Sequence, residues 1–172
     1  MTVKRSMRPA GSNDACLLIL GSLPGEASLA AQRYYAHPQN QFWRLLGHAL
    51  DEDLTGLAYD ERLARLASRG VGLWDVVAEA RRAGSLDGAI RQATANQLVD
   101  YAASHPRLKA MAFNGKTAAR LGRLAMTGVE RLQLIDLPSS SPAYTLPFEE
   151  KARRWSILGA LACPAEVAKL GR

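Results

Sequence analysis

A chain of 172 residues, 48% of them hydrophobic, is long enough to bury one continuous core without disulfide or metal staples and too short to require a second domain. Its formal charge of +6 and sequence pI near 9.7 suit a polyanionic partner, although a soluble basic protein with no such partner has the same balance. No run reaches the ~18 apolar residues of a membrane span, and Met1 to Asn13 lacks the apolar h-region of a signal peptide. Cys16 and Cys163 with His37, His48 and His105 make neither a zinc nor an iron–sulfur ligand set, and a disulfide framework is not expected.

In chain order, residues 1–13 are expected to be a disordered N-terminal segment, 14–165 a single domain and 166–172 a C-terminal tail. Short apolar runs at Ala15 to Leu20, Val71 to Val76, Leu108 to Phe113 and Leu132 to Leu137 predict strands, each followed by a turn and a helix-forming stretch. Helices are expected from Asn40 or Gln41 to Leu50, from Asp60 to Ser68, and over Ala95 to Ser104, Lys116 to Leu124 and Glu149 to Leu161. This alternation predicts an α/β domain, a parallel sheet covered on both faces. Its long irregular piece, Pro138 to Pro147, is the length of a functional loop.

In a parallel sheet the loops that begin at Gly21, Asp75, Asn114 and Pro138 open on one edge, where such folds bind ligands. The first runs Gly21-Ser22-Leu23-Pro24-Gly25 and is followed by Tyr34-Tyr35-Ala36-His37-Pro38-Gln39-Asn40. Its backbone N–H groups, Ser22 to Gly25, are candidates to receive negative charge, the tyrosines offer flat faces, and Asn40 offers an amide that donates and accepts. For Asn40 the alternative is a helix cap; for His37, a turn with a satisfied ring nitrogen; for Tyr34 and Tyr35, the core. In the second loop Asp75 is placed to accept from a base edge or to cap the following helix, and Arg81 and Arg82 to bind phosphates or to line a solvated helix face.

Asn114-Gly115-Lys116-Thr117 resembles the end of a phosphate-binding P-loop, but the glycine required five residues before Gly115 is Ala110. A nucleotide- or phosphate-binding module without base excision is therefore the alternative function. The Leu137-Pro138-Ser139-Ser140-Ser141-Pro142-Ala143-Tyr144 loop, short in bulk and rich in hydroxyls, can press against a duplex backbone or serve as a plain connector.

Taken in order, G-S-x-P-G at Gly21, Y-Y-A-H-P-x-N-x-F-W at Tyr34, L-W-D-V at Leu73, G-S-L-D at Gly84, F-N-G at Phe113 and L-P-S-x-S-P-A at Leu137 resemble the uracil-DNA glycosylase superfamily, and within it the hypoxanthine-DNA glycosylase branch. The resemblance spans about Leu18 to Trp155. It implies a three-layer α/β/α sandwich on a short, four-stranded parallel sheet, which flips a damaged nucleotide out of duplex DNA and hydrolyses its N-glycosidic bond without a cofactor; the cysteine and histidine count already predicts no metal. It also implies a monofunctional repair enzyme, hence one associated with the nucleoid; the lack of a signal peptide and of a membrane span makes it expected in the cytoplasm with no membrane partner, and a monomer is the default expectation.

By the same resemblance, Tyr35 stacks on the flipped base and Asn40 is important for activity. Leu23 stands where related enzymes carry a polar residue that positions the attacking water, Leu137 where fast uracil enzymes carry a histidine, and Tyr144 where an asparagine is expected. The site expected is thus Asn40, Ser22 and Gly25 for catalysis and Tyr35, Leu23, Pro24, Asp75 and Asn114 around the base. Lys116, Ser139, Ser140, Ser141, Pro142 and Tyr144 are expected along the DNA.

Overall fold

The computed structural model describes residues 2–164. In chain order the elements are β1 (Thr2–Arg5), β2 (Ala10–Gly11), β3 (Leu17–Gly21), α1 (Glu26–Ala31), α2 (Phe42–Leu50), α3 (Tyr59–Ser68), β4 (Val71–Asp75) and β5 (Val77–Arg82). After a 3-10 turn at Asp87–Ala89 come β6 (Arg91–Ala95), α4 (Leu98–Ser104), β7 (Ala110–Asn114), α5 (Lys116–Ala125), β8 (Gln133–Leu137), α6 (Phe148–Trp155) and α7 (Leu158–Leu161).

The central sheet runs β2-β4-β3-β7-β8, with β4, β3, β7 and β8 parallel and β2 antiparallel to β4 at the edge. The four expected strands are all present, and β2 adds a short fifth. Side chains on a strand alternate between faces, and here both faces are apolar. Leu17 and Ile19 of β3 and Ala110 and Ala112 of β7 pack with α2, α3, α6 and α7. Leu18, Leu20, Met111 and Phe113 pack with α4 and α5 on the other side. Two cores on opposite faces of one sheet make the three-layer α/β/α sandwich.

Two departures bear on the site. Residues 2–13, expected to be disordered, are ordered: β1 pairs antiparallel with β5, Thr2 opposite Arg82 and Arg5 opposite Glu79, and β2 pairs with β4. Backbone pairing holds β1, whose side chains are mostly exposed, so no apolar pattern announces it. Nor does a helix follow Asp75. The chain turns at Val76 into β5 and returns as β6, completing a second, antiparallel sheet β1-β5-β6, and the helix expected from Ala95 begins at Leu98.

The helix expected over Glu149 to Leu161 is two, interrupted at Ser156 and Ile157. Gly159 lets α7 sit against α2, since a Cβ there would stand 2.4 Å from the Ala49 carbonyl oxygen. Cys16 and Cys163 are free thiols. The expected C-terminal tail, 166–172, lies outside the described residues. No helix among the described residues is long and apolar enough to cross a membrane.

Candidate active site

The carboxyl ends of the parallel strands open into one cavity of about 480 Å³, ample for a purine. It is lined by the whole Gly21–Gly25 loop, by Tyr34, Tyr35, His37 and Asn40, by Asp75, Ser85, Leu86 and Asp87, by Asn114, and by Ser139 to Tyr144. The tyrosine–asparagine segment and the serine–proline loop therefore share one space, and they touch: the Gln41 N–H donates to the Ser140 carbonyl at 3.0 Å.

Tyr34 and Tyr35 divide the two roles open to them. Tyr34 is core: its hydroxyl donates to the Arg8 carbonyl at 2.8 Å, its N–H to the Tyr59 hydroxyl at 3.0 Å, and its carbonyl accepts from Trp43 Nε1. Tyr35 is turned into the cavity by a left-handed backbone, φ 55°, strained for a residue with a Cβ by about 1 kcal/mol. One ring face stacks on Phe42, with centroids 3.7 Å apart and planes within 7°, so at most one face is left for a base. The hydroxyl is buried without a hydrogen-bond partner, and burial, with the Asp75 charge second, pushes its pKa up. Gly21 makes room for it: a Cβ at that position would lie 2.8 Å from Asp75 Oδ1 and 3.1 Å from the Tyr35 hydroxyl.

Asn40 Oδ1 accepts from the Phe42 N–H at 2.9 Å at the start of α2. Asn40 precedes the Gln41 N-cap, so the contact is a local side-chain turn and not a helix cap; it uses the amide oxygen, and the Nδ2 donor has no partner among the described residues. His37 is exposed and its Nδ1 accepts from the Gln39 N–H at 3.1 Å, a local turn contact.

Asp75 ends β4 with its carboxyl buried. Desolvation raises its pKa to about 7, with the Asp87 charge adding to the rise and a 3.3 Å hydrogen bond from Ser6 Oγ opposing it. The capping role considered for Asp75 is excluded, because β5 and not a helix follows.

Arg82 overturns both roles open to it, phosphate binding and a solvated helix face, since it is 0% exposed. Its guanidinium donates to the carbonyls of Leu23, at 3.2 Å, Pro24, and Gly84, at 2.9 Å. In a planar trans peptide C=O and the following N–H point opposite ways. Pinning the Pro24 carbonyl on Arg82 therefore turns the Gly25 N–H away from β5. The Ser22 carbonyl accepts from the Val77 N–H at 2.9 Å, which turns the Leu23 N–H likewise. Neither N–H has a partner among the described residues, so the loop offers donors to an incoming group. The Leu23 side chain packs with Val77 and Ala80.

Ser140 is also corrected. Expected against DNA, it is 0% exposed, its hydroxyl accepting from Asn114 Nδ2 at 2.8 Å and its N–H donating to Asn114 Oδ1 at 2.9 Å. The pair is a clasp between β7 and the loop. Ser139, Ser141, Pro142 and Tyr144 remain partly or fully exposed along the rim. Lys116 is exposed but outside the cavity, in a neighbouring groove with Arg120 and Arg123.

Three supports had no part in the expected site. Lys151, buried on α6, donates to the Ser141 carbonyl at 3.3 Å and stands 5.3 Å from the Tyr144 ring centre, and one turn on Trp155 Nε1 donates to the Pro138 carbonyl at 2.9 Å. Their i, i+4 spacing on the last long helix was the available signal. The third is Asp87, which closes the G-S-L-D string: Ser22 Oγ donates to its Oδ1 at 2.5 Å. Among the described residues no group of three or more His, Cys, Asp or Glu side chains is placed to hold a metal ion.

The sequence profile of the Uracil DNA glycosylase superfamily matches residues 9–162. Over 153 residues, 89% of this chain and 96% of the relative, the sequence is 35% identical to a hypoxanthine DNA glycosylase of Methanosarcina acetivorans. A second, from Methanosarcina barkeri, is 42% identical over 113 residues, covering 66% of this chain and 72% of the relative. A solution NMR structure of a candidate uracil DNA glycosylase from Methanosarcina acetivorans superposes with a TM-score of 0.83 at 34% identity, covering 93% of this chain and 99% of that one.

Proposed function

This chain belongs to the uracil DNA glycosylase superfamily and is a DNA glycosylase acting on deaminated bases, and we propose that hypoxanthine in DNA is its preferred substrate, uracil a lesser one. The observation that carries the proposal is the shared cavity, in which Tyr35, Asn40 and the Gly21–Gly25 loop face Asn114 and the serine–proline loop.

Eversion of a nucleotide costs a few kcal/mol, least for a badly paired base such as a deaminated one. Stacking on the free face of Tyr35 returns ~1 to 3 kcal/mol of that. As the glycosidic bond lengthens, positive charge grows on the sugar and negative charge on the base. The unpartnered N–H groups of Leu23 and Gly25 and the free Nδ2 of Asn40 are donors suited to that negative charge, each worth up to ~3 kcal/mol when preorganised. Asn40 acts only by orienting a carbonyl or a water, since an amide takes no proton. Asp75, its pKa raised to about 7, can donate to a purine edge as well as accept from one.

Ser139, Ser141, Pro142 and Tyr144 on the rim, with Lys116 beside them, are the contacts proposed for the DNA backbone. Ser140 and Asn114 brace them. The enzyme is proposed to work as a monomer, in the cytoplasm, without cofactor or metal.

The test is incubation of end-labelled duplexes carrying hypoxanthine, uracil or xanthine, followed by alkaline cleavage of abasic sites. Strand breaks at hypoxanthine before the other two are expected, and Asn40→Ala should reduce them by ~100-fold or more. Intact hypoxanthine duplexes with the parent protein would overturn the substrate assignment.

A further inference from the structure

Hydrolysis needs a group to hold the attacking water and take its proton, and the apolar Leu23 and the amide of Asn40, both at the cavity, cannot take a proton. Three carboxylates line the cavity. Glu26 is exposed and ion-paired with Lys4 at 3.2 Å. Asp75 is buried, with one oxygen accepting from Ser6 and its acidity lost to burial. Asp87 is less enclosed than Asp75 and, unlike Glu26, has no ion-pair partner among the described residues. It opens the 3-10 turn between β5 and β6, is partly exposed, and is tethered through one oxygen only: Oδ1 accepts from Ser22 Oγ at 2.5 Å, and Oδ2 has no partner among the described residues.

We propose that Asp87 is the catalytic base of this glycosylase, its free Oδ2 holding the water that attacks the anomeric carbon and receiving that water's proton. The proposal rests on the glycosylase reading. As the C1′–N9 bond breaks, its electron pair leaves with the purine. The water oxygen bonds C1′, one water proton passes to Oδ2, the departing base anion takes a proton from solvent water and Asp87 returns its own to solvent, so one water is consumed, one free base released and the carboxylate regenerated. The Ser22 tether fixes the carboxylate against the loop that presents the free N–H groups of Leu23 and Gly25, so the two joined segments address both ends of the breaking bond.

The groups facing Asp87 are Ser22 after β3, Asp75 at the end of β4, Arg82 on β5 and Tyr35 before α2. Burial raises the pKa of Asp87 while the Ser22 hydroxyl and Arg82 oppose the rise, which brings the carboxylate nearer to neutral pH than a solvated aspartate, as suits a base.

The test compares the parent, Asp87→Asn and Ser22→Ala in single-turnover excision of hypoxanthine across pH, with affinity for abasic product duplex measured alongside. Asn keeps the acceptor for Ser22 but takes no proton, so Asp87→Asn should lose ~100-fold or more in excision rate, together with the acid limb of the pH profile, while product affinity stays within about threefold. Ser22→Ala should shift the acid limb to higher pH, because the bond that favours the ionised form is gone; this arm reads Asp87 even if Asp87→Asn fails to fold. An active parent with an Asp87→Asn rate within about threefold of it, a fall in rate matched by a fall in product affinity, or an acid limb unmoved by Ser22→Ala overturns the assignment and leaves the glycosylase reading intact. A parent inactive on every lesion ends both.

Discussion

The wall of the cavity built by Tyr35 and Asn40 and the wall built by Ser85 and Asp87 are held by different forces. The first is set on packed rings: Tyr35 lies on Phe42, which meets Trp43 and Trp155 edge to face at 5.1 and 5.6 Å. The second hangs on polar contacts between distant segments: Ser22 to Asp87, Ser85 Oγ to the Glu26 N–H at 2.9 Å, and the Arg82 guanidinium beneath the Leu23 and Pro24 carbonyls. Apolar packing tolerates small changes of shape, whereas a buried polar brace leaves the surviving partner unsatisfied when one member is removed. The polar wall should therefore be the more fragile one.

The largest effect is expected at Arg82. Arg82→Met strips the donor from three carbonyls and should cost about 3 to 5 kcal/mol in urea unfolding, with loss of excision; a variant as stable as the parent would show that the polar wall stands without its guanidinium.

Next is the pH dependence set by Asp75. Its carboxyl titrates at 3.8 when unfolded and about 7 when folded. The folded protein therefore holds the proton more tightly, and the group's contribution to stability declines as pH rises from about 4 to about 7 and is level outside that window. Between those limits the linked loss is on the order of 4 kcal/mol. Asp75→Asn should flatten that slope, and chemical denaturation at pH 4, 5.5 and 7.5 measures it; an unchanged slope removes Asp75 as its source.

Ser140→Ala is expected to cost about 1 to 2 kcal/mol, by leaving Asn114 Nδ2 without its buried acceptor, and to loosen the loop over the cavity. Thermal unfolding reads the stability, and faster amide exchange in residues 139–144 reads the loosening. Smallest of all is Tyr35→Phe: the hydroxyl has no partner to lose, so stability should hold within about 1 kcal/mol of the parent or rise. A larger fall would mean that the hydroxyl has a partner in solution.

The two walls also differ in how far they could be read from residues in a row. Leu17 to Leu20 and Ala110 to Phe113 advertise buried strands because both faces of a covered parallel sheet are apolar, and the Tyr34-to-Trp43 string places its ring and amide at the end of one of them. Residues 77–95 carry no such mark. Arg81 and Arg82 stand side by side in sequence, yet the pleat exposes the first and buries the second under a loop nearly 60 positions away. β1 has almost no buried side chain, so only its pairing with β5 orders it.

The order of motifs along the chain sufficed for the family by resemblance, and the apolar runs sufficed for the sandwich and for the meeting of the tyrosine–asparagine segment with the serine–proline loop, because a parallel sheet brings its strand ends to one edge. Folding alone chose which polar groups are buried against each other: Arg82 beneath the Gly21–Gly25 loop, Asn114 clasped to Ser140, Asp87 tethered to Ser22. A hydrogen bond between remote segments forms only when the chain between them has closed, and no spacing within either segment encodes that closure.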